Sequence, residues 1–220
     1  RTGPFQVNTF IVPLSSTEAF VVDVGGNVQT VCSLLKQKGL RPAALICTHG
    51  HFDHLLGVDF LREKWGVKFA MSGKDEFLLK SGSVSAELFG IRADALPETI
   101  DIDMDGMEEI SFGSTTLKII PTPGHTPGHV SLYEPAMKVL FTGDTLFAEG
   151  FGRFDLYGGD AAAQPLGQAL IATQRIGLVI DAVAAEQLVG ALAGEHHLDF
   201  LCCHLREIVE GNRRGVRQRL

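Results

Sequence analysis

The sequence predicts an α+β fold in which layers of β-sheet are covered by helices. Strand-like apolar runs alternate with helix-like segments up to about residue 82. Four more strand-like runs with tight turns follow residue 108, and the pattern from about residue 161 is mostly helical. Such an order is typical of sheets that bury one face under helices. The chain has 220 residues and is 45% hydrophobic, so we expect residues 1–220 to form a single domain with a real core.

The first part of the chain alternates between predicted strands and predicted helices. Gly25 and Gly26 end the second strand, Asn27 is the expected cap of the first helix, and Gly39 closes that helix. The short strand that begins at Ala43 is nearly all apolar, as expected of a buried strand. The predicted strands are 5–14, 18–26, 43–48 and 67–71, and the predicted helices are 28–39, 55–66 and 73–82.

The second part of the chain is less uniform. Residues 81–108 are irregular in pattern and are expected to form a lid or a surface loop. Residues 175–197 suggest an inserted helix pair, and the apolar run 198–203 is a further predicted strand. Between these segments the predicted strands are 109–112, 115–123, 129–134 and 138–144.

Charge and cysteine content narrow the class of protein. The net charge of −7 argues against nucleic acid as a partner. Four cysteines occur without a C-x-x-C pair, which fits neither a disulfide framework nor a thiolate zinc site and suits a reducing compartment. No apolar run approaches 18 residues and no signal peptide is evident. We therefore expect a cytoplasmic protein that does not bind a membrane.

The segment THGHFDH, residues 48–54, is the strongest chemical signal in the chain. It follows a buried strand, so His49 and His51 lie on a loop, two positions apart, and can turn to the same side. Asp53 and His54 then begin the next helix. Imidazole and carboxylate groups are the usual ligands of zinc and related metals. The spacing predicts a metal site, because clustered imidazoles would otherwise repel each other when protonated.

Two later segments offer further ligands. PTPGHTPGH, residues 121–129, follows a strand, and its prolines and glycines form a stiff loop that carries His125 and His129. Asp144 follows the apolar run of the strand 138–144, where a carboxylate is costly to bury without a cation or hydrogen-bond donors. Taken alone, His125 or Asp144 could simply be a turn residue. Together, at successive strand ends, they strengthen the prediction of a metal site.

These segments resemble the metallo-β-lactamase superfamily, and within it the glyoxalase II-like hydrolases of the compact, single-domain type. The matching segments are GPFQVNTF, VVDVGG, THGHFDHLLG, TPGHTPGH and FTGDTLFAEGFGRFDLYGGD. They cover residues 3 to about 160, and residues 161–220 are an atypical tail. The resemblance implies a four-layer αββα sandwich with the site at one rim of its two sheets.

The resemblance also implies a ligand set for two divalent metal ions. Zinc is expected first, with iron or manganese as alternatives. The family's usual last motif, Pro-Gly-His-Gly or similar, is missing. We prefer His204 as the last ligand, because it follows the predicted strand 198–203. The alternatives are His196 or His197, which precede that strand, and no late ligand at all. By resemblance, one ion is held by His49, His51 and His125, a second by Asp53, His54 and the late histidine, and Asp144 bridges both.

The implied activity is hydrolysis of a small-molecule, hydroxyacylglutathione-like thioester by a hydroxide that bridges the metals. Asp53 and Asp144 would act at the catalytic centre as ligands, and His129 would support the ligands. Arg153 and Tyr157 are candidate substrate-binding residues; a salt bridge from Arg153 to Asp155 is the alternative. We expect a monomer or small homo-oligomer.

Other functions remain open on the same scaffold. A persulfide dioxygenase would need a single iron, which His49, His125 and Asp144 could hold. A lactonase is a further option, since TPGHTPGH is also found in that branch of the family. A catalytically weak metal-binding interaction protein would explain the missing last motif. A β-lactamase is the least favoured of these readings.

Overall fold

The computed structural model describes residues 1–93, 96–147 and 151–163, and these contain nine strands and four α-helices. The strands are β1 Phe10–Pro13, β2 Glu18–Val22, β3 Arg41–Ile46, β4 Lys68–Met71, β5 Ile102–Asp103, β6 Glu109–Phe112, β7 Thr115–Pro121, β8 Val130–Glu134 and β9 Val139–Phe141. The helices are α1 Val28–Gln37, α2 Phe52–Leu55, α3 Val58–Trp65 and α4 Glu76–Leu88.

The strands form two sheets. The first has the order β1-β2-β3-β4-β5, in which β1 is antiparallel to β2 and the other neighbours are parallel. Helices connect its parallel strands β2, β3 and β4, as parallel pairing requires. The second sheet is the antiparallel meander β6-β7-β8-β9. The predicted alternation of strands and helices therefore corresponds to the first sheet, and the predicted meander corresponds to the second sheet.

Two apolar clusters hold the layers together. One lies between the sheets, where Phe20 and Ile46 of the first sheet share a cluster with Leu117 and Leu132 of the second. The other lies on the opposite face of the first sheet, where Leu35 of α1 and Leu61 of α3 belong to the cluster that contains Leu45 and Phe69. The described residues thus form three layers in the order helix, sheet, sheet. The helical pattern, the strand 198–203 and the segment 175–197 expected in the tail lie outside the described residues.

The predicted start of the strand 5–14 is wrong, because β1 begins only at Phe10. Residues 2–9 form a loop instead, closed by a bridge between Thr2 and Val7. Asn27 occupies the N-cap position of α1 as predicted, but its side chain makes no capping hydrogen bond and instead accepts one from the Gly3 backbone N–H at 2.7 Å. The N-terminal loop is therefore fixed to the start of α1.

The prediction of a lid or surface loop over residues 81–108 is also partly wrong, because helix α4 continues to Leu88. Leu78, Gly82 and Ala86 are buried at i, i+4 and i+8, which is the spacing of one helix face. The glycine and serines at 81–85 hide this face in the sequence, since they are weak helix formers. Within the described ranges, no helix is long and apolar enough to span a bilayer.

Candidate metal centre

The predicted ligands in the described residues meet at the rim between the two sheets. The loop after β3 carries His49 and His51, and α2 carries Asp53 and His54. The second sheet contributes a histidine from the β7–β8 loop, and an aspartate from the 3-10 turn at 143–145 after β9. The Val130 backbone N–H donates to the Thr48 carbonyl at 2.9 Å and joins the two sheets beside this rim.

Three imidazoles form the first group of donors. His49 Nε2 lies 3.1 Å from His51 Nδ1, which lies 2.8 Å from His125 Nε2. The ligand atoms of all three side chains lie within 4.8 Å of one another. Two nitrogens bound to one tetrahedral zinc at about 2.0–2.1 Å are about 3.3 Å apart. The observed spacing is close to this value, so the three side chains fit one metal ion.

Carboxylates dominate the second group. His54 Nε2 lies 3.3 Å from Asp144 Oδ1 and 3.9 Å from Asp53 Oδ2. The other oxygen of Asp144, Oδ2, lies 3.4 Å from His125 Nε2. Asp144 therefore faces both groups of donors with one oxygen each, as a bridging carboxylate would. His49, His54 and Asp144 also have ligand atoms within 4.8 Å of one another, so the two groups adjoin.

Burial keeps two histidines of the first group, His49 and His51, neutral. It lowers the pKa of His49 well below the usual histidine range, and the charge of His54 adds to this effect. Burial also lowers the pKa of His51 to about 3, with a further contribution from His125. A neutral imidazole keeps a nitrogen lone pair available for a metal ion. Near neutral pH these two side chains can therefore act as ligands without losing a proton.

In the second group, pairing instead favours the charged forms of His54 and Asp144. Burial opposes a charge on His54, but Asp23 and Asp144 outweigh it and raise the pKa of His54 well above its usual range. Burial also opposes ionisation of Asp144, but its pairing with His54 lowers the pKa of Asp144 to about 2. A proton on His54 thus sits between carboxylates. A metal cation bound there would replace this proton, so the donors fit a second cation as well.

Asp23 supports the cluster from behind, a role that the sequence analysis missed. Its Oδ2 lies 3.3 Å from His54 Nδ1 and accepts a hydrogen bond from the Thr48 hydroxyl at 2.9 Å. Its Oδ1 accepts from the Thr48 backbone N–H at 2.8 Å. Asp23 follows the apolar strand β2, so the rule that singled out Asp144, a carboxylate directly after a buried strand, also applies to it.

Asp75 is a second missed residue, and it connects two ligand-bearing loops. It accepts hydrogen bonds from the Gly50 N–H at 2.9 Å, the Thr126 hydroxyl at 2.6 Å and the Gly128 N–H at 2.6 Å. Gly50 lies between two histidines of the first loop, and Thr126 follows His125 in the other. Asp75 lies in the charged stretch GKDE, which has the composition of an exposed turn and gives no sign of this role.

His129 stacks on the His49 ring, and both of its own ring nitrogens have hydrogen-bond partners. Its Nε2 accepts a hydrogen bond from the Asp144 backbone N–H at 3.1 Å. Its Nδ1 therefore carries the proton and donates toward the hydroxyls of Thr122 at 2.8 Å or Thr145 at 3.2 Å. Burial lowers the pKa of His129 to about 3, which keeps this neutral form. His129 thus fixes the turn that presents Asp144.

The two candidate substrate-binding residues line a cavity beside the cluster. The Arg153 guanidinium is exposed and binds Asp155 through Nε at 2.7 Å and Nη2 at 2.8 Å, the alternative that the sequence had left open. The Arg153 carbonyl accepts a hydrogen bond from His125 Nδ1. Tyr157 is exposed and packs edge-on against Phe77. The candidate last ligands His204, His196 and His197 lie outside the described residues.

Comparison with known proteins identifies the family. The family model described as the metallo-beta-lactamase superfamily matches residues 2–190. A probable metallo-hydrolase, YqgX, of Bacillus subtilis is 37% identical over 160 residues, which are 72% of this chain and 74% of the relative. A hydroxyacylglutathione hydrolase, GloC, of Haemophilus influenzae is 34% identical over 158 residues, or 71% of this chain and 74% of the relative.

Two solved structures are similar in fold to this chain. The B3 metallo-β-lactamase BLEG-1 has a TM-score of 0.68 and 32% identity, over 75% of this chain and 79% of that one. TTHA1623, solved in a di-iron-bound form, also has a TM-score of 0.68, with 28% identity over 78% of this chain and 84% of that one. The predicted fold is confirmed by these neighbours. On the family match and these likenesses, the chain belongs to the metallo-β-lactamase superfamily.

Proposed function

We propose that this chain is a metal-dependent hydrolase that cleaves a thioester of the hydroxyacylglutathione type. The observation that carries the proposal is the division of the donors into a three-imidazole group and an adjoining carboxylate-rich group, with Asp144 facing both. The likeness to GloC, which is named a hydroxyacylglutathione hydrolase, supports the substrate class. The superfamily itself supports the hydrolytic reaction.

The proposal assigns the donors to two divalent ions, with zinc as the first choice and iron or manganese as alternatives. His49, His51 and His125 would hold one ion, Asp53, His54 and His204 the other, and Asp144 would bridge them. When bound, such ions lower the pKa of a water molecule from about 15.7 toward about 7 and polarise a carbonyl oxygen. The ligand roles of Asp53 and Asp144 are thus their catalytic roles in this proposal.

The chain's own residues orient these groups. Asp23 holds His54 from its Nδ1 side, and His129 holds the backbone of Asp144. The carbonyl of Arg153 accepts from His125 Nδ1, which leaves the lone pair on Nε2 directed at the cluster. A thiol has a pKa of about 8.5, so the leaving group can depart as a thiolate. The site therefore needs no dedicated proton donor for this substrate class.

Arg153 and Tyr157 stay candidates for substrate contact at the cavity wall. Arg153 would have to share its guanidinium with Asp155 in order to bind a substrate carboxylate. The other expectations, a cytoplasmic location and a monomer or small homo-oligomer, stay predictions from the sequence.

The test is a panel of substrates offered to the full chain loaded in turn with zinc, manganese and iron. We expect hydrolysis of S-lactoylglutathione with a kcat/KM of at least about 10⁴ M⁻¹s⁻¹, and much weaker turnover of a lactone and of nitrocefin. The lactam belongs in the panel because BLEG-1 is named a B3 metallo-β-lactamase.

The same panel separates the competing functions. One iron per chain, oxygen uptake with glutathione persulfide and no thioester turnover would replace the proposal with the mononuclear dioxygenase. Faster turnover of the lactone or of nitrocefin than of the thioester would move the proposal to that substrate class. Metal binding with no turnover of any substrate would favour the interaction protein.

A further inference from the structure

A cavity of about 540 Å³ opens directly beside the candidate metal ligands. This volume lies within the range of about 300–1,000 Å³ that is common for small-molecule sites. His51, Asp53, His125 and Asp144 form part of its wall. A carbonyl bound at a metal ion that these residues hold can therefore place one of its two substituents in the cavity.

Three phenylalanines of the cavity lining form an aromatic wall. The Phe5 ring packs edge-on against Phe52 and Phe89, with ring centroids 5.7 and 5.6 Å apart, and Phe52 and Phe89 are 5.9 Å apart. Phe52 is buried on α2 next to His51, which ties the wall to the metal cluster. Phe5 and Phe89 are 46% and 52% exposed. Exposed aromatic surface grouped beside a reactive centre is typical of a binding site, whereas single exposed rings need no explanation.

The rest of the lining is also mainly apolar. Leu78, Leu88 and Leu156 come from α4 and from the segment after residue 151. Among the described lining residues, Arg153 is the only one with a cationic side chain, and Asp155 already pairs with it through two hydrogen bonds. The glutathione half of a thioester carries two carboxylates and an ammonium group, which this lining cannot match. The acyl half is the better occupant.

We propose that this cavity binds the acyl group of the substrate and selects an aromatic acyl group over a small polar one. This inference rests on the proposed thioester hydrolysis. The ring of the acyl group would pack against Phe5 and Phe89, while the polar thiol half stays outside the cavity. Preformed ring contacts cost little conformational entropy on binding, because phenylalanine has only two side-chain torsions.

The test compares two thioesters with the same thiol, S-mandeloylglutathione and S-lactoylglutathione, on the zinc-loaded full chain. Each kcat/KM is divided by the rate constant for alkaline hydrolysis of the same thioester, which removes intrinsic reactivity. We expect the corrected ratio to favour the mandeloyl thioester by about tenfold or more, the scale of discrimination in apolar pockets. Phe89→Ala and Phe5→Ala should each reduce the ratio severalfold.

Phe60→Ala is the matched control. Phe60 lies on α3, is 42% exposed and does not line the cavity, so its loss should leave the ratio unchanged. A corrected ratio near one in the wild type, or a ratio that both Phe5→Ala and Phe89→Ala leave unchanged, would overturn the inference while thioester hydrolysis stands.

A binding measurement keeps the inference testable if no thioester is cleaved. Saturation-transfer NMR of mandelate with the full chain should show saturation of the ring protons in the wild type and Phe60→Ala, and its loss in Phe89→Ala. That result without turnover would contradict the proposed function and still support the aromatic cavity. Absence of saturation in the wild type, together with absent turnover, would overturn both.

Discussion

Asp75 shows how much of the candidate centre depends on one buried side chain that is not among the proposed ligands. Its two oxygens accept three hydrogen bonds from two loops, each of which carries proposed ligands. Burial raises the pKa of Asp75, but these three donors act against that effect and favour the charged form. The carboxylate therefore joins the loops that hold His51 and His125.

Replacing Asp75 with asparagine should separate these loops. One amide oxygen cannot accept from three donors, and each buried donor left without a partner costs about 1–3 kcal/mol. We expect Asp75→Asn to lower the free energy of unfolding by about that amount in urea denaturation of the metal-free protein, and to weaken metal retention. Asp105→Asn, an exposed aspartate paired with Lys74, is the control and should change stability little. Equal stability of the two variants would contradict the role of Asp75.

His54 gives a pH dependence whose sign can be stated. Its folded-state pKa is raised by Asp23 and Asp144 against the effect of burial. The stability it contributes to the metal-free protein is therefore complete below the unfolded pKa of about 6.5, and is lost as the pH rises through the folded-state value. We expect the Tm of the metal-free wild type to fall over that alkaline range, and His54→Gln to show a flatter profile. Parallel profiles for the two proteins would mean that the pairing contributes nothing.

Residue spacing indicated candidate ligands that the structure brings together, but it did not indicate the residues that support them. The candidate ligands are recognisable because histidines and aspartates are unusual at strand ends. His49 and His51 are also two positions apart, so that both can turn to the same side. Asp23 has the same kind of signal after β2. Asp75 has none, because its partners are backbone N–H groups and a hydroxyl from segments 25 and 51–53 residues away. Only the folded arrangement shows that it is buried.

At the level of elements, the segment 151–153 touches two proposed ligands from one side. The Gly152 N–H donates to the Asp144 carbonyl at 2.7 Å, and the next residue, Arg153, accepts from His125 Nδ1. A side chain at position 152 would collide with the Asp144 backbone oxygen and would come within 3.0 Å of His125 Nδ1. The glycine therefore allows this segment to reach both ligands.

Gly152→Ala should displace the segment and loosen both ligands. Loss of groups that orient ligands typically reduces metal affinity or activity by about 10–100-fold. We expect a loss of that size in zinc affinity, measured by competition with a chromophoric chelator. Gly39→Ala, at a positive φ of 67° with open space around it, should lower stability without changing zinc affinity. Retention of wild-type affinity in Gly152→Ala would show that the segment does not hold the ligands.

The elements themselves were predictable where hydrophobic periodicity is clean. Each predicted strand of the meander overlaps a strand of the second sheet. Short alternating or all-apolar runs between tight turns are typical of β-strands. The start of β1 and the length of α4 were not predictable. In the first case a tertiary hydrogen bond to Asn27 fixes the loop, and in the second a buried face with glycine and serine overrides weak helix propensity.

On the scale of the whole molecule, the candidate centre joins the two sheets. His49, His51, Asp53 and His54 follow a strand of the first sheet, whereas His125 and Asp144 follow strands of the second. A metal ion bound by both sets would stabilise the packing of one sheet against the other, because ligands that bind only the folded state shift the unfolding equilibrium.

The last ligand is proposed to come from the tail. If His204 completes the second site, His204→Ala should lower the metal content by about one ion per chain and reduce thioester turnover by about 10–100-fold or more. His196→Ala and His197→Ala serve as matched controls and should keep both properties. The same loss in His196→Ala or His197→Ala, but not in His204→Ala, would move the ligand to that position.

Titration of the metal-free protein with zinc tests the central claim most directly. S-lactoylglutathione turnover and bound zinc would be followed together, for the wild type and for His51→Ala. We predict that turnover rises until two equivalents of zinc are bound and then stays constant, and that His51→Ala binds less zinc and turns over little substrate. Zinc uptake by His51→Ala equal to that of the wild type, or no uptake by the wild type, would contradict a metal centre built from these residues.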